Sequence, residues 1–222
     1  IGYNAYSVLK TGKDEFSKLL PIQFESWGDQ KNPVYIYTVM IFEIIFGLSA
    51  YAVRLPSALS GIAAVYLTYA IVKQLATFFE LNKENEARSE KIALISAALL
   101  AISPWHILVS RGGYEANMAL SLGLAGAYLF LCWLKTEKWQ HFFLSNVAVV
   151  LAMYTYYTTK LFIPMLIVLL WSWGFWVTKK FPLKKYIHFS VRYILLFALL
   201  SLPIAYLAIF SNGQARFAKI NI

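Results

Sequence analysis

The sequence predicts an all-α, polytopic transmembrane helical bundle with an external loop of short interfacial helices. Three observations carry this. Of 222 residues, 59% are hydrophobic and only 14% charged, with a mean hydropathy of +0.58; a soluble domain is about one quarter charged. The apolar residues gather into runs close to the roughly 17–25 residues that a bilayer requires. The charges sit at the ends of those runs. Helices rather than strands follow, because an isolated segment in lipid must satisfy its own backbone.

The first stretch, residues 1–31, is polar and aromatic by turns. Tyr3, Tyr6, Leu9 and Lys10 fit helical spacing, so residues 2–9 are expected to form a short interfacial helix. Thr11, Gly12, Lys13 and Asp14 read as its stop. The rest is expected to be loop, with Pro21 and Gly28 as breakers. Asn32 and Pro33 open an apolar run over 34–52, interrupted by Glu43, Gly47 and Ser49. Those interruptions suit a helix lying in the interface. Residues 1–53 are thus assigned to an external loop with interfacial helices, and 54–222 to about six transmembrane helices. The expected spans are 57–75, 92–108, 116–134, 142–157, 161–177 and 193–210, with a charged connector at 78–91 and a tight turn at 135–140.

The formal charge is +9. With 34–52 not crossing, one side of the bilayer carries Lys73, Lys83, Arg88, Lys91, Lys135, Lys138, Lys179, Lys180, Lys184, Lys185 and Arg192. The short loops opposite carry only Arg111 and Lys160. The positive-inside rule then makes the basic side cytoplasmic. Residues 1–31, Arg54, residues 111–115 and residues 154–160 gather on the external face. The excess charge points to anionic lipid, and nucleic-acid binding is not expected. Cys132 has no internal disulfide partner, and His106, His141 and His188 lack metal-ligand spacing, so no metal site is expected.

The organising stretch is 103–120, SPWHILVSRGGYEANMAL. An arginine and a carboxylate at the joint of two apolar runs are costly unless the joint meets water or a cavity. It is read as one wall of an active site, with 1–31 as the other. Arg111 and Tyr114 suit a phosphate, since guanidinium makes bidentate charge-assisted contacts. Glu115 suits substrate positioning or capping of the next helix. Asp29 is placed to orient or deprotonate an acceptor hydroxyl, and Lys31 to pair with a phosphate. Tyr157 and Lys160 close the cluster, although an aromatic belt also explains the tyrosines there. Asp14 and Glu15 read as a solvated turn, Arg54 as an interfacial anchor and His106 as packing.

The succession IGYNAYSVLKTGKDEF, GDQKNPVYIY, FGLSAYAVRLPSALSG, SPWHILVSRGGYEANM and MYTYYTTKLFIP resembles the N-terminal half of bacterial GT-C membrane glycosyltransferases, relatives of protein O-mannosyltransferases and of the aminoarabinose transferase that modifies lipid A. The resemblance implies inverting transfer of a sugar from a polyprenyl-phosphate donor to a glycan, lipid or protein acceptor on the external or periplasmic face of the cell membrane. It implies no cofactor beyond that donor. Lys31 matches the family's cation before the proline, Glu115 its second acidic position and Arg111 the neighbouring arginine. The family's first-loop acidic pair would fall just before Ile1, so this chain is expected to be a fragment, inactive alone. A transporter or flippase of lipid-linked precursors is the alternative; charges at span ends and the lack of a visible repeat favour the enzyme.

Overall fold

The computed structural model describes residues 1–26, 29–78, 83–178 and 182–210. Among these, nine helices and one two-stranded hairpin follow in order: α1 (Gly2–Thr11), β1 (Phe24–Ser26), β2 (Asp29–Lys31), α2 (Pro33–Phe46), α3 (Ala50–Phe78), α4 (Lys83–Ile102), α5 (Pro104–Arg111), α6 (Glu115–Thr136), α7 (Trp139–Met153), α8 (Thr159–Thr178) and α9 (Leu183–Phe210). The fold is all-α and polytopic. Among the described residues, α3, α6, α8 and α9 are each long and apolar enough to cross a membrane. The α4 and α5 pair, bent by 59° at Ser103, makes a fifth if counted as one span. The shorter α7 packs along α6 after a two-residue turn; its 15 residues cover about 22 Å.

Local chemistry sets most boundaries. Gly12, at φ 72°, closes α1 by sending its N–H to the Val8 carbonyl, the left-handed stop that glycine permits. Pro33 occupies the first turn of α2, where its missing N–H costs nothing. Gly47, at φ 62°, ends α2. Pro104 breaks the run expected to be a single span at 92–108, because its ring cannot follow a helical residue freely. Conversely, α3 begins at Ala50, well before the expected start at 57, and carries Pro56 inside it. Arg54 therefore lies on a helix. Part of the expected connector is also helical, since α4 begins at Lys83.

The span bundle is held by aromatic packing and by buried polar contacts, since lipid gives helices no hydrophobic drive to associate. Trp133 meets Phe130, Phe142, Trp171 and Phe189 at centroid distances of 5.3–5.6 Å. Gly126 lets α6 and α7 approach closely: a Cβ there would lie 2.4 Å from Val149 Cγ1 and 3.2 Å from the Ser145 carbonyl. Ser145 donates to the Gly126 carbonyl at 2.8 Å, and Asn146 Nδ2 donates to the Tyr193 carbonyl at 3.0 Å, tying in α9. A second polar seam joins α3, α5 and α6. Asn117 Nδ2 donates to the Ser57 carbonyl at 2.6 Å and to Ser110 Oγ at 3.2 Å, and His106 Nε2 lies 3.2 Å from the Gly61 carbonyl. The packing role read for His106 is what its ring performs.

A separate cluster of Ala5, Val8, Phe24, Tyr35, Ile36 and Val39 binds α1, the hairpin and α2 together. Both ends of α2 stay at the Glu115 end of the bundle. At its start the Val34 N–H donates to the Tyr154 carbonyl at 3.2 Å. Beyond its end, the first turns of α3 lie against Gly113. The helix therefore lies across that end instead of crossing the bundle.

Two expectations for the first stretch are corrected. Residues 24–26 and 29–31 are not loop but an antiparallel hairpin, with Phe24 opposite Lys31 and Ser26 opposite Asp29; three-residue strands are too short for their period to be read from sequence. Asp14 is not solvated either. It is 3% exposed, and its Oδ1 accepts the Phe16 and Lys18 N–H groups at 3.0 and 2.8 Å. Glu15 is held to α1, accepting from Asn4 Nδ2 at 3.0 Å while its N–H donates to Asn4 Oδ1 at 3.1 Å.

Candidate active site

The site forms where β2 runs into α2, at the Glu115 end of the bundle. Asn32 stands at the N-cap of α2, but its side chain does not cap; Nδ2 donates instead to the Met153 carbonyl at 3.2 Å. That bond and the one from Val34 to Tyr154 fix the strand-to-helix corner against the end of α7. Lys31, the last residue of β2, is thereby aimed at the first residue of α6. Its Nζ lies 3.6 Å from Glu115 Oε1, with both side chains largely buried.

Glu115 begins α6, and the N-cap residue before it, Tyr114, makes no side-chain capping hydrogen bond. A carboxylate there is favoured by the partial positive charge of the helix start. Tyr35 stands nearby, donating to the Val53 carbonyl at 2.8 Å. Burial pushes its phenol up to about 12, and the Glu115 charge adds to the rise. Tyr35 is thus a neutral donor fixed beside the ion pair.

The turn leading into Glu115 requires glycine at position 113. Gly113 has φ +73°, and a Cβ on it would sit 3.3 Å from the Val53 carbonyl and from Arg54 Cγ. A Cβ on Gly112 would meet the Tyr114 ring at 2.2 Å. The turn therefore rests on the first turns of α3, with Arg54 beside it. Arg111 ends α5 on the other side and is exposed, and no described side chain pairs with its guanidinium. Arg54 is also exposed. Two guanidiniums flank a two-glycine turn that ends in a paired carboxylate.

The remaining residues fall into place unevenly. Tyr114 is 54% exposed at the N-cap. Lys160 Nζ, in the first turn of α8, lies 4.6 Å from the ring centroid of Tyr157 in the loop that follows α7, a cation–π pair. That loop adjoins α6 through Tyr156, which shares a cavity wall with Ala116. Asp29 contributes its backbone to β2, and its side chain lies outside the described residues. Sequence reasoning missed Tyr35 and took Arg54 only as an anchor.

An apolar cavity of about 290 Å³ opens beside Glu115, between α6 and α8. Small residues on one face of α6, Ala116, Ala119, Gly123 and Ala127, form one wall, and Phe162 and Leu166 the other. Among the described residues no three His, Cys, Asp or Glu side chains converge as metal ligands.

The model of one family, dolichyl-phosphate-mannose-protein mannosyltransferase, matches residues 30–201. The chain belongs to that family. The match begins in the hairpin strand that carries Lys31 and runs into α9, so it takes in Lys31, Arg111, Tyr114, Glu115, Tyr157 and Lys160, while Asp29 falls one residue before it. Over 108 residues the chain is also 32% identical to a Bacillus subtilis (strain 168) protein named "Putative mannosyltransferase YycA". That stretch is 49% of this chain and 14% of the relative, so the chain spans a small part of the relative's length. No solved structure matches the chain significantly. Membership of this mannosyltransferase family bears out the resemblance read from the motifs.

Proposed function

We propose that the full-length protein is a membrane glycosyltransferase that takes its sugar from a polyprenyl-phosphate donor and hands it, with inversion, to an acceptor on the external face. The observation that carries this is the pairing of Lys31 with Glu115 at 3.6 Å, at the start of the helix whose next residue, Ala116, begins one wall of the apolar cavity. An isoprenoid chain needs an apolar trough open to lipid, and its phosphate needs cations at the water end.

The chemistry follows from those parts. A carboxylate, Glu115 or Asp29, takes the proton from the acceptor hydroxyl. That oxygen attacks the anomeric carbon from the face opposite the phosphate. The bond from the anomeric carbon to the phosphate oxygen breaks, and the lipid phosphate leaves with the electron pair. Lys31 and Arg111 offset the charge that grows on it, with Tyr114, Tyr157 and Lys160 lining the entry. Tyr35 holds the corner that aims Lys31. A lipid phosphate is already a leaving group, so what the chain must supply is a base for the acceptor and positive charge beside the departing phosphate. The basic residues at the opposite end, including Lys135, Lys138, Lys184 and Arg192, support an outward-facing site through the positive-inside rule. Partners are therefore membrane lipid, the polyprenyl-phosphate sugar, and a glycan, lipid or protein acceptor.

The test is transfer of labelled sugar from purified polyprenyl-phosphate sugar by the full-length protein in vesicles. Glu115→Gln and Lys31→Met are each expected to lower kcat by about 100-fold or more. Full activity in both variants, at normal expression and thermal stability, overturns the reading.

A further inference from the structure

A second cavity lies elsewhere, on the other side of the hairpin. It has a volume of about 510 Å³ and is walled by residues 18–25, Gln30 and the last turns of α9, Pro203, Tyr206 and Leu207. One wall is a knuckle of unusual exposure: Phe16, Leu19, Leu20 and Ile22 are 50%, 70%, 60% and 49% exposed. Such side chains in a polar loop are expected to face away from water unless something apolar covers them.

The knuckle is held in shape. Buried Asp14 anchors its turn through two N–H groups, the Leu20 N–H donates to the Gly12 carbonyl at 3.0 Å, and Lys13 bridges to Leu19. Ser17 and Leu20 adopt φ of 65° and 40°, conformations that non-glycine residues take only when surroundings impose them. The fold thus holds apolar side chains outward against backbone strain.

What covers them is indicated by α9. Leu195, Leu199, Leu202 and Tyr206 are 63%, 63%, 58% and 63% exposed and recur at helical spacing along a membrane-length helix, so they form its lipid-facing stripe. Tyr206 ends that stripe and also lines the cavity. The lipid face of a span therefore runs without a break into the cavity. At the rim the polar atoms are spent, with Lys18 Nζ paired to Glu25 Oε2 at 3.0 Å.

We propose that the knuckle dips into the adjoining leaflet and that an acyl chain of a bilayer phospholipid lies along the α9 stripe and fills the cavity. This docks the α1, hairpin and α2 unit onto the membrane and fixes the depth of Lys31, which sits one residue along β2 from the cavity-lining Gln30.

The experiment uses the full-length protein, free of other cysteines, in phosphatidylcholine vesicles. A nitroxide at Leu20→Cys is compared with one at Leu199→Cys, on the stripe, and one at Lys13→Cys, in water. The Leu20 label is expected to match Leu199, relaxed several-fold more by oxygen than by a water-soluble nickel chelate. A bimane at Ile22→Cys is expected to be quenched by phospholipid brominated on its acyl chain. A Leu20 label that matches Lys13, or a bimane that the brominated lipid leaves untouched, overturns the proposal. Neither readout involves sugar transfer, so it stands or falls separately from the enzymatic reading.

Discussion

The Tyr154 hydroxyl accepts the Ile204 N–H at 3.3 Å, one residue beyond the proline of α9. The same hydroxyl donates to the Leu200 carbonyl at 3.1 Å. Leu200 and Ile204 are one turn apart, the groups that a regular helix pairs with each other. A side chain from the end of α7 thus supports α9 beside Pro203, where a helix is weakest. Tyr154→Phe is expected to lower stability by about 1 kcal/mol, read as a fall in thermal midpoint in detergent.

The contact between α6 and α7 gives a sharper prediction. Gly126→Ala places a methyl 2.4 Å from Val149 Cγ1 and is expected to cost about 1–3 kcal/mol through overpacking. Val149→Ala in the same chain removes the clash. The double variant should be more stable than Gly126→Ala alone, and strict additivity of the two changes contradicts the packing account.

Glu43 supplies a pH dependence. It is 2% exposed on α2, and neither carboxylate oxygen has a hydrogen-bond partner among the described residues. Burial raises its carboxyl above the ordinary range. A carboxyl raised on folding binds its proton more tightly in the native state. Its contribution is fully present below the ordinary carboxylate value and is lost as pH rises through the raised one. Glu43→Met is expected to stabilise the protein at neutral pH by about 1–3 kcal/mol. The gain should shrink on acidification, and thermal midpoints across pH 4–8, on the order of the carboxylate range and above it, check this. A gain that does not vary with pH removes the carboxyl from the explanation.

The guanidiniums flanking the two-glycine turn should act on donor binding. Arg54→Gln and Arg111→Gln are each expected to raise the KM for the polyprenyl-phosphate sugar about tenfold, from loss of a charge-assisted contact. Thermal midpoints should barely move, since both side chains are exposed. Unchanged KM in both variants removes the phosphate role.

Much of this was legible in the sequence, for physical reasons. Spans are set by long runs of apolar residues, and α6, α8 and α9 contain the runs that announced them. That residues 1–31, 111–115 and 154–160 share one end of the bundle was expected from the topology that the cation count favours. The pairing of Lys31 with Glu115 was legible only as a shared face; 84 positions of chain separate the two, and the strand-to-helix corner that aims Lys31 depends on Asn32 reaching Met153. The hairpin was hidden because three-residue strands have no readable period. The buried state of Asp14 was hidden because its partners are backbone N–H groups, which every sequence has. Pro56 misplaced the start of α3, since a proline within the early turns of a long helix is tolerated when packing compensates.

The central claim is that Lys31 and Glu115 act on substrate and do not merely hold the fold. Exchanging them in the full-length protein, Lys31→Glu with Glu115→Lys, tests it most directly. The exchanged pair keeps opposite charges in contact, so expression and thermal midpoint should stay near those of the parent. The account predicts that sugar transfer falls by about 100-fold or more, because the cation and the carboxylate then face the wrong atoms. Transfer at the parental rate in the exchanged protein would contradict it and leave the pair a structural tie between β2 and α6.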